Sequence, residues 1–109
     1  YEPWGYTPLE SAALGVPAVT TDAAGFGQWV LKNTNKKDKP GVYVVNRLGK
    51  SSQETEQELF EFLHYYTNLP KMERMKKKLD AKRISEMADW EELVQNYLDA
   101  YKLALSRVK

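Results

Sequence analysis

Two glutamates, Glu2 and Glu10, stand eight positions apart and bracket the run Pro-Trp-Gly-Tyr-Thr-Pro. A carboxylate accepts hydrogen bonds through two oxygens and so suits the paired hydroxyls of a sugar or a ribose. Between the two glutamates, Gly5 lets the backbone approach a ligand closely, and Thr7 offers both a hydroxyl and a backbone N–H. Thr7-Pro8-Leu9-Glu10 also reads as a helix start, in which Thr caps, Pro takes the first helical position and Glu10 closes a capping box. A helix N-terminus carries free N–H groups and about half a positive charge, so its natural occupant is an anionic diphosphate. Structural readings stand beside these: Glu10 sits where a capping-box glutamate belongs, and Tyr1 and Trp4 are equally readable as core aromatics.

The elements that must position these residues follow from punctuation and periodicity. The first helix runs from Thr7 to Leu14, where Gly15 supplies a left-handed cap and Pro17 prevents continuation. Ala-Val-Thr-Thr at 18–21 is a short buried strand, Phe-Gly-Gln-Trp-Val-Leu-Lys-Asn at 26–33 a short helix, and residues 33–41 a polar loop. Gly-Val-Tyr-Val-Val-Asn-Arg at 41–47 gives a second strand, so the order predicts an α/β layer with a two-stranded parallel sheet. Beyond Ser51 the pattern is helical throughout. Leu59, Phe62, Leu63 and Tyr66 mark one apolar face on a helix over 53–67, and a basic helix over 71–83 follows the break at Asn-Leu-Pro. A third helix over 89–105 is capped by Asp89 with Glu92 three residues on, and carries a broad stripe that includes Trp90, Tyr97, Leu98, Tyr101 and Leu105.

Bulk properties narrow the function classes. A chain of 109 residues supports a single core. Sixteen Lys and Arg against fifteen Asp and Glu leave a charge of +1, which gives no global attraction to nucleic acid or to an anionic membrane. With no cysteine and one histidine there is neither a disulfide scaffold nor a thiolate metal site. No signal peptide or long apolar run appears, so the expectation is a soluble, cytoplasmic protein, with Tyr1 in place of an initiator Met suggesting truncation. Two strands and three striped helices leave a sheet that needs further elements to cover it, which is the expectation for the C-terminal piece of a larger α/β enzyme.

Glu2, seven residues and Glu10 also form the E-x7-E pattern typical of retaining GT-B glycosyltransferases. The block from Tyr1 to Gly27, together with Arg83, Ser85, Asp89, Trp90, Tyr97, Ala100, Ala104 and Leu105 in the tail, resembles the eukaryotic-type glycogen synthases. The resemblance implies the C-terminal part of a Rossmann-like GT-B donor domain over residues 1–50 and a C-terminal helical segment over 51–109, whose last helix packs back on an N-terminal domain. It implies that Glu2 lies beside the donor glucose and the reacting carbon, that Trp4, Gly5 and Tyr6 present backbone N–H groups around sugar and phosphate, that Thr7 holds the distal phosphate, and that Glu10 accepts from the ribose of UDP. The implied reaction transfers glucose from UDP-glucose to the 4-hydroxyl of an α-1,4-glucan with retention, without cofactor or metal, helix N-termini and basic side chains stabilising the leaving group. A homo-oligomer of the full-length enzyme is compatible with the resemblance, and the 109-residue chain alone is expected to be inactive.

Those synthases also carry an arginine-rich activator helix just before the tail, and Arg74 and Lys78 fall near its phosphate-binding positions. The segment Met-Glu-Arg-Met-Lys-Lys-Lys-Leu-Asp-Ala-Lys-Arg is poorer in Arg, and Lys lacks the bidentate fork, so a solvated face is the first reading. His64 beside an apolar stripe reads as structural. Two alternatives remain at this stage: a retaining transferase making a disaccharide such as sucrose or trehalose, and a non-catalytic α/β interaction module that ignores UDP.

Overall fold

The computed structural model describes residues 4–108, apart from the side chains of residues 90–92. In chain order the elements are α1 (Tyr6–Ala13), β1 (Ala18–Thr21), α2 (Gly25–Asn33), a 3-10 turn (Lys36–Asp38), β2 (Val42–Val45), α3 (Ser52–Thr67), α4 (Lys71–Met87) and α5 (Trp90–Ser106). The two strands pair in parallel, Ala18 opposite Val42 and Thr21 opposite Val45, with α2 as the crossover. The described residues thus form a mixed α/β structure of five α-helices on a small parallel sheet. None of the helices among the described residues is long and apolar enough to cross a membrane.

The sheet is buried on both sides of β2, which explains why Val-Tyr-Val-Val reads as an unbroken apolar run. Val42 and Val44 face a core built from Ala12 of α1, Phe26 and Val30 of α2, and Ala81 and Ile84 of α4. Tyr43 and Val45 face the other way, onto Phe62 of α3. The Tyr43 and Phe62 rings stack with centroids 4.1 Å apart. This second face is small, so Leu59 and Leu63 remain 37% and 46% exposed; of the predicted α3 stripe only Phe62 is fully buried, with Tyr66 partly so.

Three local expectations change. The first helix starts at Tyr6, one turn-defining residue before the expected cap: Gly5 is its N-cap, in a left-handed conformation with φ 94°, and no side chain caps it. Thr7 is therefore not the cap and Glu10 closes no capping box, because the Trp4 carbonyl is held by the Phe26 N–H at 2.8 Å and the chain turns at the one residue that takes a positive φ without strain. Pro8 consequently occupies the third helical position, where its missing N–H is still no loss. The polar loop contains a 3-10 turn capped by Asn35, whose side chain accepts from the Lys37 N–H. The basic helix α4 continues past Arg83 to Met87, since Ile84, Ser85 and Ala88 are buried and no breaker intervenes.

Other expectations hold. The end of α1 is a Schellman turn, with Gly15 N–H on the Ala12 carbonyl and Val16 N–H on the Ser11 carbonyl. A feature not anticipated from the sequence is the capping box at the start of α3, where Ser51 accepts from the Glu54 N–H at 3.1 Å while donating to the Glu54 carboxylate at 3.3 Å. Tyr97, Leu98, Tyr101 and Leu105 on α5 are all 45% exposed or more, as the broad stripe predicted. The Trp90 part of that stripe and the Glu92 capping role lie outside the described residues.

Candidate functional site at the carboxyl edge of the sheet

Helix α1 returns through the tight turn at residues 14–17 into β1, so its N-terminus lies beside the carboxyl end of that strand. The hydrogen bond from Phe26 N–H to Trp4 C=O joins the loop before α1 to the first turn of α2. Two helix starts, Gly5-Tyr6 and Ala24-Gly25, thus meet at one edge, and neither has a side-chain cap. The Phe26 N–H is taken by Trp4, and the remaining first-turn donors with the two helix dipoles make this edge favourable to an anion. The carboxyl ends of parallel strands are where open α/β sheets hold ligands.

The loop after β2 is drawn to the same edge by Asp22. Its Oδ1 accepts the backbone N–H groups of Arg47 at 2.8 Å and Leu48 at 3.0 Å, while Gln28 Nε2 donates to the Asp22 carbonyl at 3.0 Å. Sequence reasoning passed over Asp22. Its signal is its position directly after a strand, where an Asp commonly satisfies neighbouring N–H groups.

Among the predicted site residues, Trp4, Gly5, Tyr6, Thr7 and Glu10 all fall on this loop and first helix. Gly5 is buried, while Tyr6, Thr7 and Glu10 are exposed. Thr7 and Glu10 are three positions apart and so share one side of α1. The Glu10 side chain makes no hydrogen bond or ion pair with another described residue, which leaves the carboxylate available to a ligand. Trp4 has a structural role: it is half-buried, with its ring edge-on to Phe26 at 5.6 Å and to Trp29 at 6.5 Å. Glu2 and Tyr1 lie outside the described residues.

Arg74 and Lys78 are not part of this edge. They are exposed, one turn apart on α4. Their neighbours are locally paired, Lys76 with Glu73 at 3.3 Å and Arg83 with Asp80 at 2.8 Å, as expected of a solvated face. His64 is exposed and stacks beside Phe60 at 6.1 Å.

The family model for glycogen synthase matches residues 1–109. The chain belongs to the glycogen synthase family. It is 35% identical over 109 residues to isoform 2 of glycogen [starch] synthase from Saccharomyces cerevisiae, covering 98% of this chain and 16% of that protein. The liver glycogen [starch] synthase of Mus musculus is 36% identical over 107 residues, and the Caenorhabditis elegans glycogen [starch] synthase 33% over 108. The chain spans about a sixth of the length of these curated relatives. Membership of the glycogen synthase family agrees with the resemblance carried by the glutamate-bracketed loop and the tail.

Proposed function

We propose that this chain forms part of the nucleotide-sugar site of a retaining glycosyltransferase that moves glucose from UDP-glucose to the 4-hydroxyl of an α-1,4-glucan. The observation that carries the reading is the match to the glycogen synthase family across residues 1–109. The meeting of two uncapped helix starts at the carboxyl edge supports it, because such an edge suits a diphosphate. Glu2 stands beside the glucose and the reacting carbon; Trp4, Gly5 and Tyr6 offer backbone N–H groups; Thr7 holds the distal phosphate; Glu10 accepts from the ribose hydroxyls.

Within this reading residues 1–50 belong to a Rossmann-like GT-B donor domain and residues 51–109 form its helical C-terminal segment. The stripe of Leu98, Tyr101 and Leu105 on α5 docks on the domain that precedes the donor domain in the intact, cytoplasmic enzyme. Arg74 and Lys78 are the candidates for an activator's phosphate, with Lys78 acting as a point charge and not as a fork. Groups outside this chain complete the leaving-group and acceptor sites, so the 109 residues alone transfer no glucose.

The test is an assay of the intact enzyme with UDP-glucose and glycogen, followed by digestion of the product with α-1,4-specific enzymes. Incorporation of α-1,4-linked glucose is the expected result. An intact enzyme that leaves UDP-glucose unconsumed, or that glucosylates only a monosaccharide acceptor, overturns the reading.

A further inference from the structure

The segment that follows β2, residues 46–50, is pinned along its backbone. The Asn46 N–H donates to Glu58 at 2.9 Å, and the Asn46 carbonyl accepts from the Thr55 hydroxyl at 3.1 Å. The N–H groups of Arg47 and Leu48 both donate to the Asp22 carboxylate. The Lys50 N–H then closes a turn onto the Arg47 carbonyl at 3.1 Å, with Gly49 taking the positive φ of 72° inside it.

What these bonds leave over is the Arg47 side chain. It is exposed, and its guanidinium makes no hydrogen bond or ion pair with another described residue. The carboxylates around it are committed elsewhere. Asp22 is directed at backbone N–H groups, and Glu58 holds Lys36 at 2.7 Å together with the Tyr43 hydroxyl and the Asn46 N–H. Glu54 faces Lys50 at 3.8 Å and the Ser51 hydroxyl. A fixed backbone that presents an arginine without a counter-ion suits a phosphate, because the planar fork matches two phosphate oxygens and little backbone ordering remains to oppose binding.

Its place in the fold points to which phosphate. The Asp22 carbonyl, at the end of β1, accepts from Gln28 of α2, and Phe26 in the same turn of α2 donates to the Trp4 carbonyl. One run of hydrogen bonds therefore leads from Arg47 through Asp22 and the start of α2 to the loop before α1. Arg47 stands just past the carboxyl end of β2, whose parallel neighbour β1 ends level with it, Thr21 opposite Val45. Paired strands lie only about 4.8 Å apart, so a long side chain on one reaches across the end of the other.

We infer that Arg47 binds the diphosphate of the donor from the β2 side, and that Asp22 is the positioning residue that holds it there. The inference rests on the donor-site reading for the identity of the anion, and adds to that reading a cation supplied by this chain. The departing diphosphate takes up negative charge as its bond to the sugar breaks, so the contact strengthens in the transition state.

The test uses the intact enzyme. Arg47→Ala is expected to weaken UDP binding in calorimetry by about tenfold or more, and to lower kcat/KM for UDP-glucose by at least as much, with the melting temperature unchanged. The inhibition constant of uridine, which has no phosphate, is expected to stay at the parent value. Asp22→Ala should weaken UDP to a similar extent, and the double variant no further, because both residues act on one contact. Unchanged UDP affinity in folded Arg47→Ala enzyme overturns the inference, as does an equal loss for uridine. Additive losses in the double variant overturn the role of Asp22. The two readings fail separately. A parent enzyme that binds no UDP sinks the donor reading itself, whereas a parent that binds UDP and transfers glucose, with Arg47→Ala binding UDP equally well, sinks only the assignment of Arg47.

Discussion

At the scale of single residues, the two motif glutamates divide binding from rate in the proposed reaction. Ribose contacts are equal in ground and transition states, so Glu10→Ala in the intact enzyme should raise the donor KM by about ten- to a hundredfold, the equivalent of a lost charged hydrogen bond of about 1.5–3 kcal/mol. The proposed reaction assigns Glu2 to the carbon where positive charge develops as the bond to phosphate breaks, and on that assignment Glu2→Gln should lower kcat by about a hundredfold while UDP still binds. Steady-state kinetics separate the two; a Glu2→Gln enzyme with normal kcat removes the role assigned to that carboxylate.

A second residue-scale prediction concerns Tyr43, which is 8% exposed and donates its hydroxyl to Glu58 at 3.0 Å. Burial, then the Glu58 hydrogen bond and the charges of Glu58 and Glu61, push its pKa from 10.0 up to about 12. The neutral phenol is therefore favoured in the folded state. Its contribution to stability is complete below pH 10 and is lost as pH rises through about 12. Glu58 has the opposite sign: burial opposes its charge, but the Lys36 ammonium at 2.7 Å, the Asn46 N–H at 2.9 Å and the Tyr43 hydroxyl outweigh it and lower its pKa. Its contribution is present above the ordinary glutamate range and fades as pH falls through the lowered value. Thermal melts of parent and Tyr43→Phe should diverge in slope between pH 10 and 12, the parent losing stability that the variant never had.

At the scale of elements, α4 is held to the sheet by a close backbone approach at Gly41. A methyl group there would run into the Ala81 N–H and the Lys77 carbonyl, while the Gly41 N–H donates to Asp80 at 2.6 Å. Lys77 ties the same region together by donating to the Asp38 carbonyl at 3.0 Å. Gly41→Ala must therefore push α4 off Val42 and Val44, at a cost of about 1–3 kcal/mol or more by overpacking. Urea unfolding should show a lower midpoint; an unchanged midpoint would mean that α4 is not seated as described. This contact was invisible in the sequence, where Gly41 read as the end of a turn-rich loop. Likewise, the length of α4 beyond Arg83 depends on Ile84 and Ala88 meeting α1, a contact across more than seventy positions that no local pattern encodes.

At the scale of the whole molecule, the described residues extend 60 × 33 × 22 Å, long for so short a chain. Leu98, Tyr101, Leu103 and Leu105 are between 45% and 73% exposed on α5, far more apolar surface on one helix than a folded monomer normally leaves to water. The 109-residue chain in isolation should self-associate or bind a hydrophobic dye. Sedimentation of a dye-silent monomer at high concentration would count against the covered role given to that face.

Local rules in the sequence determined the identity and order of the main elements, the parallel pairing implied by strand–helix–strand and the glycine-capped end of α1, because each depends on residues within a few positions. The glutamate-bracketed loop made the family legible, since its residue types at fixed spacing are a local pattern, and the family match over residues 1–109 agrees with it. Tertiary structure decided the rest. Gly5 replaced Thr7 as the start of α1 because the Trp4 carbonyl had a partner on α2, and Glu10 was thereby relieved of a capping role. Trp4 became a half-buried ring between Phe26 and Trp29, and Asp22 became the tie between two loops. These outcomes depend on hydrogen bonds and ring contacts between residues more than twenty positions apart, and free energy of that kind is set by what the fold brings together.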